Sequence, residues 1–257
     1  MKLSFRRRQK FWGRILPEIS TKNLYFDESL TGENMSYQHT MKNGEIVDLP
    51  VGKVVCVGRN YAEHAKELNN PVPTEPILFI KPASAVVDMR QPIVIPEDQG
   101  SCHIETEMAL LIGKELRRDT GPQVLEAIIG VGLGFDLTLR DVQNRLKDKG
   151  HPWEKAKAFD GSCPLSPFVS PSGFRWDDVS IELRRNGAVQ QQGNSGDMIT
   201  AVAELLSHIA QHFALQPGDV VLTGTPAGVG PLSAGDELLA VLDDQLSVAS
   251  EVVARCS

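Results

Sequence analysis

The stretch HIETEMALLIG, residues 103–113, begins as an alternating polar and apolar sequence and ends as a continuous apolar run. Alternation is typical of a half-buried strand, and the apolar run MALLIG is typical of a strand that enters a core. Side chains two residues apart on a strand point to the same face, which predicts that Glu105 and Glu107 lie about 7 Å apart. Two buried carboxylates repel each other unless they are protonated or bridged by a cation. Spacing alone leaves a solvated strand face open as the alternative.

A third carboxylate, Asp136, lies in VGLGFDLTLRD among the apolar residues Leu133, Phe135 and Leu137. An acid in such a run is rarely buried without a partner. One interpretation is a helix N-cap before LTLRDVQ, because aspartate is favoured there. The other is a third oxygen ligand beside the two glutamates. Three carboxylates suit a hard cation such as Mg²⁺, Mn²⁺ or Ca²⁺ rather than zinc.

Other side chains are candidates for acid–base chemistry or anion binding. His64 and Glu67 are three residues apart in a predicted helix, where a carboxylate can orient an imidazole as a general base. Surface pairs of this kind are common, so the spacing alone decides nothing. Lys157 lies between two alanines and could orient a carboxylate or carbonyl, or simply be exposed. Thr225 follows a buried strand in LTGTPAGVG, a turn whose N–H groups suit an anion.

Composition and charge exclude several classes of protein. The chain has 257 residues, a net charge of −7 and a pI of about 5.4, which argues against a broad nucleic-acid-binding surface. The four cysteines form no C-x-x-C pair, so neither a disulfide framework nor a structural zinc site is indicated. No apolar run approaches the roughly 20 residues that span a bilayer. We therefore expect a cytoplasmic protein with reduced thiols.

Strand-like segments outnumber helical ones, and regular β–α alternation is missing. VSIELRRNGAVQQQG (179–193) predicts a hairpin with an Asn186-Gly187 turn. RNYAEHAKEL (59–68) predicts a short helix capped by Asn60, and MITAVAELLSHIAQHF (198–213) predicts an amphipathic helix. We expect a strand-rich α+β domain at residues 35–257, with a mixed, mostly antiparallel sheet and a few peripheral helices. Residues 1–34 are interpreted as a dispensable or non-native extension.

Taken together, these segments resemble the fumarylacetoacetate hydrolase family, and most closely its short, single-domain members. The resemblance runs from about residue 37 to the C-terminus and is specific because the motifs keep their order and spacing. The segments that carry it are CVGRNYAEH (56–64), FIKP (79–82), HIETEMALLIG (103–113), GFDLTLRDVQ (134–143), PWEKAKAFDGSCP (152–164) and GDVVLTGTPAGVGPL (218–232). It implies a mixed β-roll, usually a homodimer. From the charge and the lack of a long apolar run, we expect neither a nucleic-acid nor a membrane partner.

The resemblance also implies a role for each matching residue. The metal ligands are Glu105, Glu107 and Asp136, holding Mg²⁺ or Mn²⁺, with Ca²⁺ as a substitute in crystals. The remaining roles are a catalytic set of His64, Glu67 and Lys157, with the first two on a segment that closes over ligand, and a substrate-binding set of Arg59, Gln143 and Thr225.

The activity implied by the resemblance acts on small 2-oxo or 2,4-dioxo acids through an enolate held on the metal. The main expectation is hydrolysis of a C–C bond in an acylpyruvate such as fumarylpyruvate or acetylpyruvate. The alternative is tautomerisation or decarboxylation of oxaloacetate at the same site. More distant alternatives are an isomerase of aromatic catabolism and a non-catalytic metal-binding protein.

Overall fold

The computed structural model describes residues 37–67, 72–96, 98–120 and 123–254, so the predicted extension at residues 1–34 lies outside the described residues. The strands, in chain order, are β1 (Val54–Gly58), β2 (Ile77–Lys81), β3 (Val86–Asp88), β4 (Ile93–Ile95), β5 (Cys102–Ile104), β6 (Thr106–Ile112), β7 (Ile128–Phe135), β8 (Thr138–Leu139), β9 (Cys163–Leu165), β10 (Ser180–Arg185), β11 (Ala188–Asn194), β12 (Val220–Leu222), β13 (Gly230–Pro231), β14 (Glu237–Leu242) and β15 (Leu246–Ala254). The α-helices are α1 (Ala62–Glu67), α2 (Arg140–Asp148), α3 (Glu154–Lys157) and α4 (Val202–His212).

The described strands form three sheets in which most neighbouring strands run antiparallel. A seven-stranded sheet has the order β2-β1-β12-β6-β7-β9-β3, a five-stranded sheet β11-β10-β14-β15-β4, and a three-stranded sheet β13-β5-β8. The parallel pairs are β1–β12, β3–β9 and β4–β15. This strand-rich α+β architecture, with mixed sheets and few helices, confirms the predicted fold class.

The seven-stranded sheet is buried on both faces. On β6, Met108, Leu110 and Ile112 belong to the larger hydrophobic core, whereas Ala109 and Leu111 belong to a second cluster on the opposite face. A strand covered on both sides has no solvent-facing positions, and its sequence therefore reads as a continuous apolar run. This explains why the alternation seen at residues 103–107 stops at MALLI.

The stretch at residues 103–113 is two strands, and the expectation of one continuous strand is wrong. β5 pairs with β8 and β13 in the three-stranded sheet, whereas β6 pairs with β7 and β12 in the seven-stranded sheet. Glu105 is the single residue between them. The chain thus changes sheets at the first of the two glutamates.

The predicted hairpin and amphipathic helix are both present. Asn186 and Gly187 have φ angles of 52° and 85°, the positive values that a type I′ turn between β10 and β11 requires. The helix predicted over 198–213 is α4, which begins later, and its apolar side faces the larger core. The residues it buries are Val202, Leu205, Leu206, Ile209 and Ala210.

Asn60 ties three segments together where β1 ends. The sequence predicts it as the cap of α1, but its side chain is used elsewhere. Its amide nitrogen donates to the carbonyl oxygens of Thr200 (3.0 Å) and Thr223 (2.9 Å), and its amide oxygen accepts from the Thr200 N–H (2.8 Å). The side chain therefore fixes the ends of β1 and β12 relative to the segment before α4.

Within the part of the chain that the structure describes, no helix has both the length and the apolar character needed to cross a membrane. Cys56, Cys102 and Cys163 are buried free thiols.

We expect Asn60→Ala to lower the free energy of unfolding by about 2–4 kcal/mol, because it removes the partners of partly buried backbone groups of Thr200 and of the buried Thr223 carbonyl. Urea denaturation followed by circular dichroism measures this loss. The matched control is Asn144→Ala, an exposed asparagine of α2, which should change stability by no more than about 0.5 kcal/mol. Equal losses in the two variants would contradict a special role for the buried amide.

Candidate active site

Glu105, Glu107 and Asp136 form a buried cluster whose ligand atoms lie within 4.8 Å of one another. Their exposed fractions are 5%, 1% and 1%, which rules out a solvated strand face. Asp136 directly follows β7, and its N–H donates to the Glu105 carbonyl oxygen at 2.8 Å, extending the β6–β7 ladder by one pair. This pairing places Asp136 directly opposite Glu105, and the three side chains converge on one point.

The alternative role of Asp136 as a helix N-cap is wrong. β8 separates it from α2, which begins at Arg140, and Leu139 occupies the N-cap position without a side-chain cap. The Asp136 carboxylate instead points into the cluster and pairs with two lysines. Lys81 Nζ lies 2.9 Å from Oδ1, and Lys157 Nζ lies 2.5 Å from Oδ2.

Three cations balance the three carboxylates. Besides Asp136, Lys157 contacts Glu105 Oε2 at 2.9 Å, and Arg140 forms an ion pair with Glu105 Oε1. The Phe79 ring centroid lies 5.0 Å from Lys157 Nζ, a cation–π contact that holds the lysine in place. The cluster is therefore an ionic network rather than an isolated group of acids.

The two glutamates experience different environments. Burial raises the pKa of Glu105, but the positive charges of Lys157 and Arg140 outweigh it and hold this pKa below its usual range. Burial, together with the negative charges of Asp136 and Glu105, raises the pKa of Glu107 well above its usual value. The Gly224 N–H donates to Glu107 Oε2 at 2.6 Å and offsets part of that increase.

These residues fit a divalent cation. The donor set consists of carboxylate oxygens, the ligands that Mg²⁺ and Mn²⁺ prefer. Glu107 faces the cavity, and its burial and the negative charges of Asp136 and Glu105 raise its pKa. A cation beside Glu105, Glu107 and Asp136 would favour the ionised form of all three carboxylates.

His64 and Glu67 are paired as the sequence predicts. His64 Nδ1 lies 3.4 Å from Glu67 Oε2 on α1. The Glu67 carboxylate also accepts from the Gly228 N–H at 3.1 and 3.2 Å, so this glutamate attaches α1 to the turn after β12. His64 is buried and lines the same cavity as the glutamates.

A cavity of about 260 Å³ opens above the carboxylates. This volume lies below the roughly 300–1,000 Å³ of pockets for drug-sized ligands, so the cavity suits a small molecule. Its walls are formed by Val57, Gly58, Arg59, His64, Phe79, His103, Glu105, Glu107, Arg140, Gln143, Asn144, Lys147, Trp153, Lys157 and Thr225.

The remaining predicted residues converge on this cavity. Arg59, Gln143 and Thr225 all line it. The Gln143 side-chain oxygen accepts from Arg140 Nη1 at 2.7 Å, which positions the guanidinium beside Glu105. The Thr225 hydroxyl donates to the Thr106 carbonyl oxygen at 2.8 Å, which anchors the turn against the start of β6.

Sequence reasoning missed most of the face that α2 presents to the cavity. Arg140, Gln143, Asn144 and Lys147 all line it, but only Gln143 was expected there. Their spacing of i, i+3, i+4 and i+7 is that of one helical face, and it could have been recognised in RDVQNRLK. His103, left without a role by the sequence, also lines the cavity.

Comparisons with known proteins agree with this arrangement. Residues 53–253 match the family described as fumarylacetoacetate (FAA) hydrolase C-terminal. Oxaloacetate tautomerase YcgM of Escherichia coli is 53% identical over 209 residues, which cover 80% of this chain and 95% of that protein. The human mitochondrial oxaloacetate tautomerase FAHD1 is 37% identical over 203 residues, covering 77% of this chain and 90% of its own.

Solved structures are similar along most of the chain. A fumarylacetoacetate hydrolase family protein from Yersinia pestis has a TM-score of 0.82 at 49% identity, covering 84% of this chain and 100% of its own. Fumarylpyruvate hydrolase from Pseudomonas aeruginosa, in complex with Mn²⁺ and pyruvate, has a TM-score of 0.79 at 35% identity, with coverages of 88% and 99%. The matched region, the fold and the order of motifs agree, and this chain belongs to the fumarylacetoacetate hydrolase family.

Proposed function

We propose that this protein is a divalent-cation-dependent enzyme that interconverts the enol and keto forms of oxaloacetate. The observation that carries the proposal is the 53% identity to a bacterial oxaloacetate tautomerase over 95% of that protein's length. The small cavity beside a carboxylate cluster and a histidine–glutamate pair supports it. Hydrolysis of acylpyruvates, the main expectation from the sequence, has weaker support from a 35% identical structure.

We propose Glu105, Glu107 and Asp136 as the ligands of Mg²⁺ or Mn²⁺. The Pseudomonas fumarylpyruvate hydrolase was solved with Mn²⁺ and pyruvate, which favours these ions in a related site. When bound, the cation supplies Lewis-acid stabilisation of negative charge on the 2-oxo oxygen of a substrate. Lys157 contributes a second positive charge next to Glu105 and Asp136.

We propose His64 as the general base. With its Nδ1–H directed to the Glu67 carboxylate, the neutral imidazole keeps Nε2 free of a proton and able to accept one. In the keto-to-enol direction, Nε2 takes a proton from C3 of oxaloacetate, and the proton is returned at the 2-oxo oxygen. The reverse sequence converts enol to keto. One proton moves and no C–C bond breaks.

The charge of the site matches a dianion. Lys81, Lys157 and Arg140 balance the three carboxylates, so a divalent cation leaves the cluster with two positive charges. Oxaloacetate at neutral pH carries two negative charges. Association of the substrate with the loaded site is therefore electrostatically favourable.

A second candidate function is hydrolysis of an acylpyruvate, favoured by the similarity to fumarylpyruvate hydrolase. Decarboxylation of oxaloacetate is the third activity that the same site would support.

The test of these three activities is a panel of enol-oxaloacetate, keto-oxaloacetate, acetylpyruvate and fumarylpyruvate, each with Mg²⁺ and with EDTA. We expect rapid enol–keto interconversion with Mg²⁺ and no release of pyruvate. Faster cleavage of an acylpyruvate, measured as kcat/KM, would establish the hydrolase instead.

Removal of one carboxylate should abolish stabilisation by metal. At 100 times its Kd, a cation stabilises the folded protein by about 2.7 kcal/mol, which raises the Tm of the wild type. We expect no such rise for Asp136→Asn, measured by thermal denaturation with and without Mn²⁺. The control is Asp244→Asn, an exposed carboxylate in the β14–β15 turn, which should keep the full rise. A normal rise in Asp136→Asn would rule out this aspartate as a ligand.

Replacing His64 by asparagine should lower kcat for tautomerisation about 100-fold or more, the usual effect of losing a general base. The decay of the enol absorbance with Mg²⁺ measures the rate. Glu67→Gln should cause a smaller loss, because the imidazole remains but its orientation weakens. His212→Asn, an exposed histidine on α4, serves as the control. An unchanged kcat in His64→Asn would place the base elsewhere.

We propose residues 35–257 as one catalytic domain, supported by the family match over 53–253. A variant lacking residues 1–34 should keep kcat and KM for oxaloacetate within about twofold, since no proposed site residue lies there. A loss of activity that parallels a lower Tm would show that the extension belongs to the domain.

Homodimerisation and a cytoplasmic location stay predictions. Light scattering on the purified protein tests whether it is a dimer.

A further inference from the structure

One face of α2 forms a polar wall of the cavity. Arg140, Gln143, Asn144 and Lys147 line it at helical spacing. The helix rises about 1.5 Å per residue, so the backbone positions of Arg140 and Lys147 are about 10 Å apart. The wall is thus long enough to contact both ends of a small substrate.

The two ends of this wall lie in different surroundings. Arg140 is largely buried and paired with Glu105, which places it at the carboxylate cluster. Lys147 is exposed, one helical turn beyond Gln143, which places it at the rim of the cavity. The helix therefore leads from the cation end of the cavity to its mouth.

Arg59 lines the cavity from a different segment, directly after β1. Its φ of 61° is a left-handed conformation that is unfavourable for a residue with a side chain. Such strain is concentrated at functional sites, where the surrounding structure holds it in place. The neighbouring Asn60, with its three hydrogen bonds, supplies that support here.

Lys147 and Arg59 are close enough for their charges to interact. Burial lowers the pKa of Lys147, the positive charges of Arg59 and Arg140 lower it further, and the negative charge of Asp148 offsets part of that decrease. Among the described residues that line the cavity, the carboxylates are Glu105 and Glu107, both in the cluster at the cation end. The positive charges of Lys147 and Arg59 thus face the same cavity away from the carboxylate cluster, and a bound anion would lower the repulsion between them.

We propose that Lys147, together with Arg59, binds the distal carboxylate of a dianionic 2-oxo acid and makes the site selective for diacids. This inference rests on the proposed function, in which the 2-oxo acid end of the substrate faces the carboxylate cluster. A four-carbon diacid then directs its second carboxylate along α2 toward the mouth. The flexible stem of Lys147 lets its ammonium group follow that carboxylate into the cavity.

The test compares oxaloacetate with its 4-methyl ester, which has the same skeleton without the distal charge. Wild type, Lys147→Met, Lys147→Arg and the control Lys149→Met are compared by kcat/KM and by calorimetric binding with Mn²⁺ present. We expect Lys147→Met to weaken binding and kcat/KM for oxaloacetate about five- to tenfold, mainly through KM. Values for the ester should change less than twofold. Lys147→Arg should keep most of the preference for oxaloacetate over the ester, and Lys149→Met should keep all of it.

Failure of this inference differs from failure of the proposed function. Equal effects of Lys147→Met on the diacid and the ester, or no effect on either, would overturn the distal-carboxylate site while wild-type turnover of oxaloacetate still stands. Conversely, the wild-type protein could bind oxaloacetate more tightly than the ester without converting it, and this result would contradict the proposed tautomerase activity. Loss of that binding preference in Lys147→Met would then still support the distal-carboxylate site. Unchanged melting temperatures in the lysine variants confirm that folding does not explain the differences.

Discussion

The mutual repulsion of three carboxylates in a buried position is the constraint on which this site depends. Two like charges 4 Å apart interact with about 4 kcal/mol at an effective dielectric constant of about 20, and burial adds a desolvation penalty. Lys81, Lys157 and Arg140 approach the carboxylates from separate segments of the chain and offset much of this cost. Burial and the charges of Asp136 and Glu105 still raise the pKa of Glu107, and a bound cation would favour its ionised form.

The same constraint accounts for local features of the backbone. The chain changes sheets at Glu105, and the pairing of Glu105 with Asp136 brings the third carboxylate beside the two glutamates. Gly224 has a φ of 96°, which allows its N–H to point at the Glu107 carboxylate. An added Cβ there would come within 2.7 Å of the Asn60 side chain, so the turn requires glycine. The turn after β12 thus serves as a binding site for the protein's own carboxylate.

Much of the fold and the centre of the site could be predicted from the sequence. Local patterns identified the Asn186-Gly187 hairpin and α4, and the order of motifs identified the family. The two glutamates could be grouped because they are two residues apart. The break at Glu105 could not be predicted, because strand pairing across two sheets depends on segments far apart in the chain. The partners of Lys81 could not be predicted for the same reason.

The residues that line the cavity along α2 were missed for a different reason. A charged, polar helix such as RDVQNRLK has the composition of a solvent-exposed surface, and only the packed structure shows which side faces inward. Gln143 was expected at the site through the family resemblance, whereas Lys147 carries no motif. Its position becomes informative only when Arg59, 88 positions earlier in the sequence, is found on the same cavity.

The separation between the carboxylate cluster and α2 has an evolutionary consequence. The cluster is built into paired strands of the core, where a substitution disturbs many neighbours at once. The outer part of α2 is exposed, and changes there leave the strands intact. Related proteins can therefore acquire new substrates by altering one helical face while inheriting the reactive centre unchanged. A tautomerase and a C–C hydrolase that share this fold are the outcome expected of such a division between a centre built into the core and a cavity wall built on a partly exposed helix.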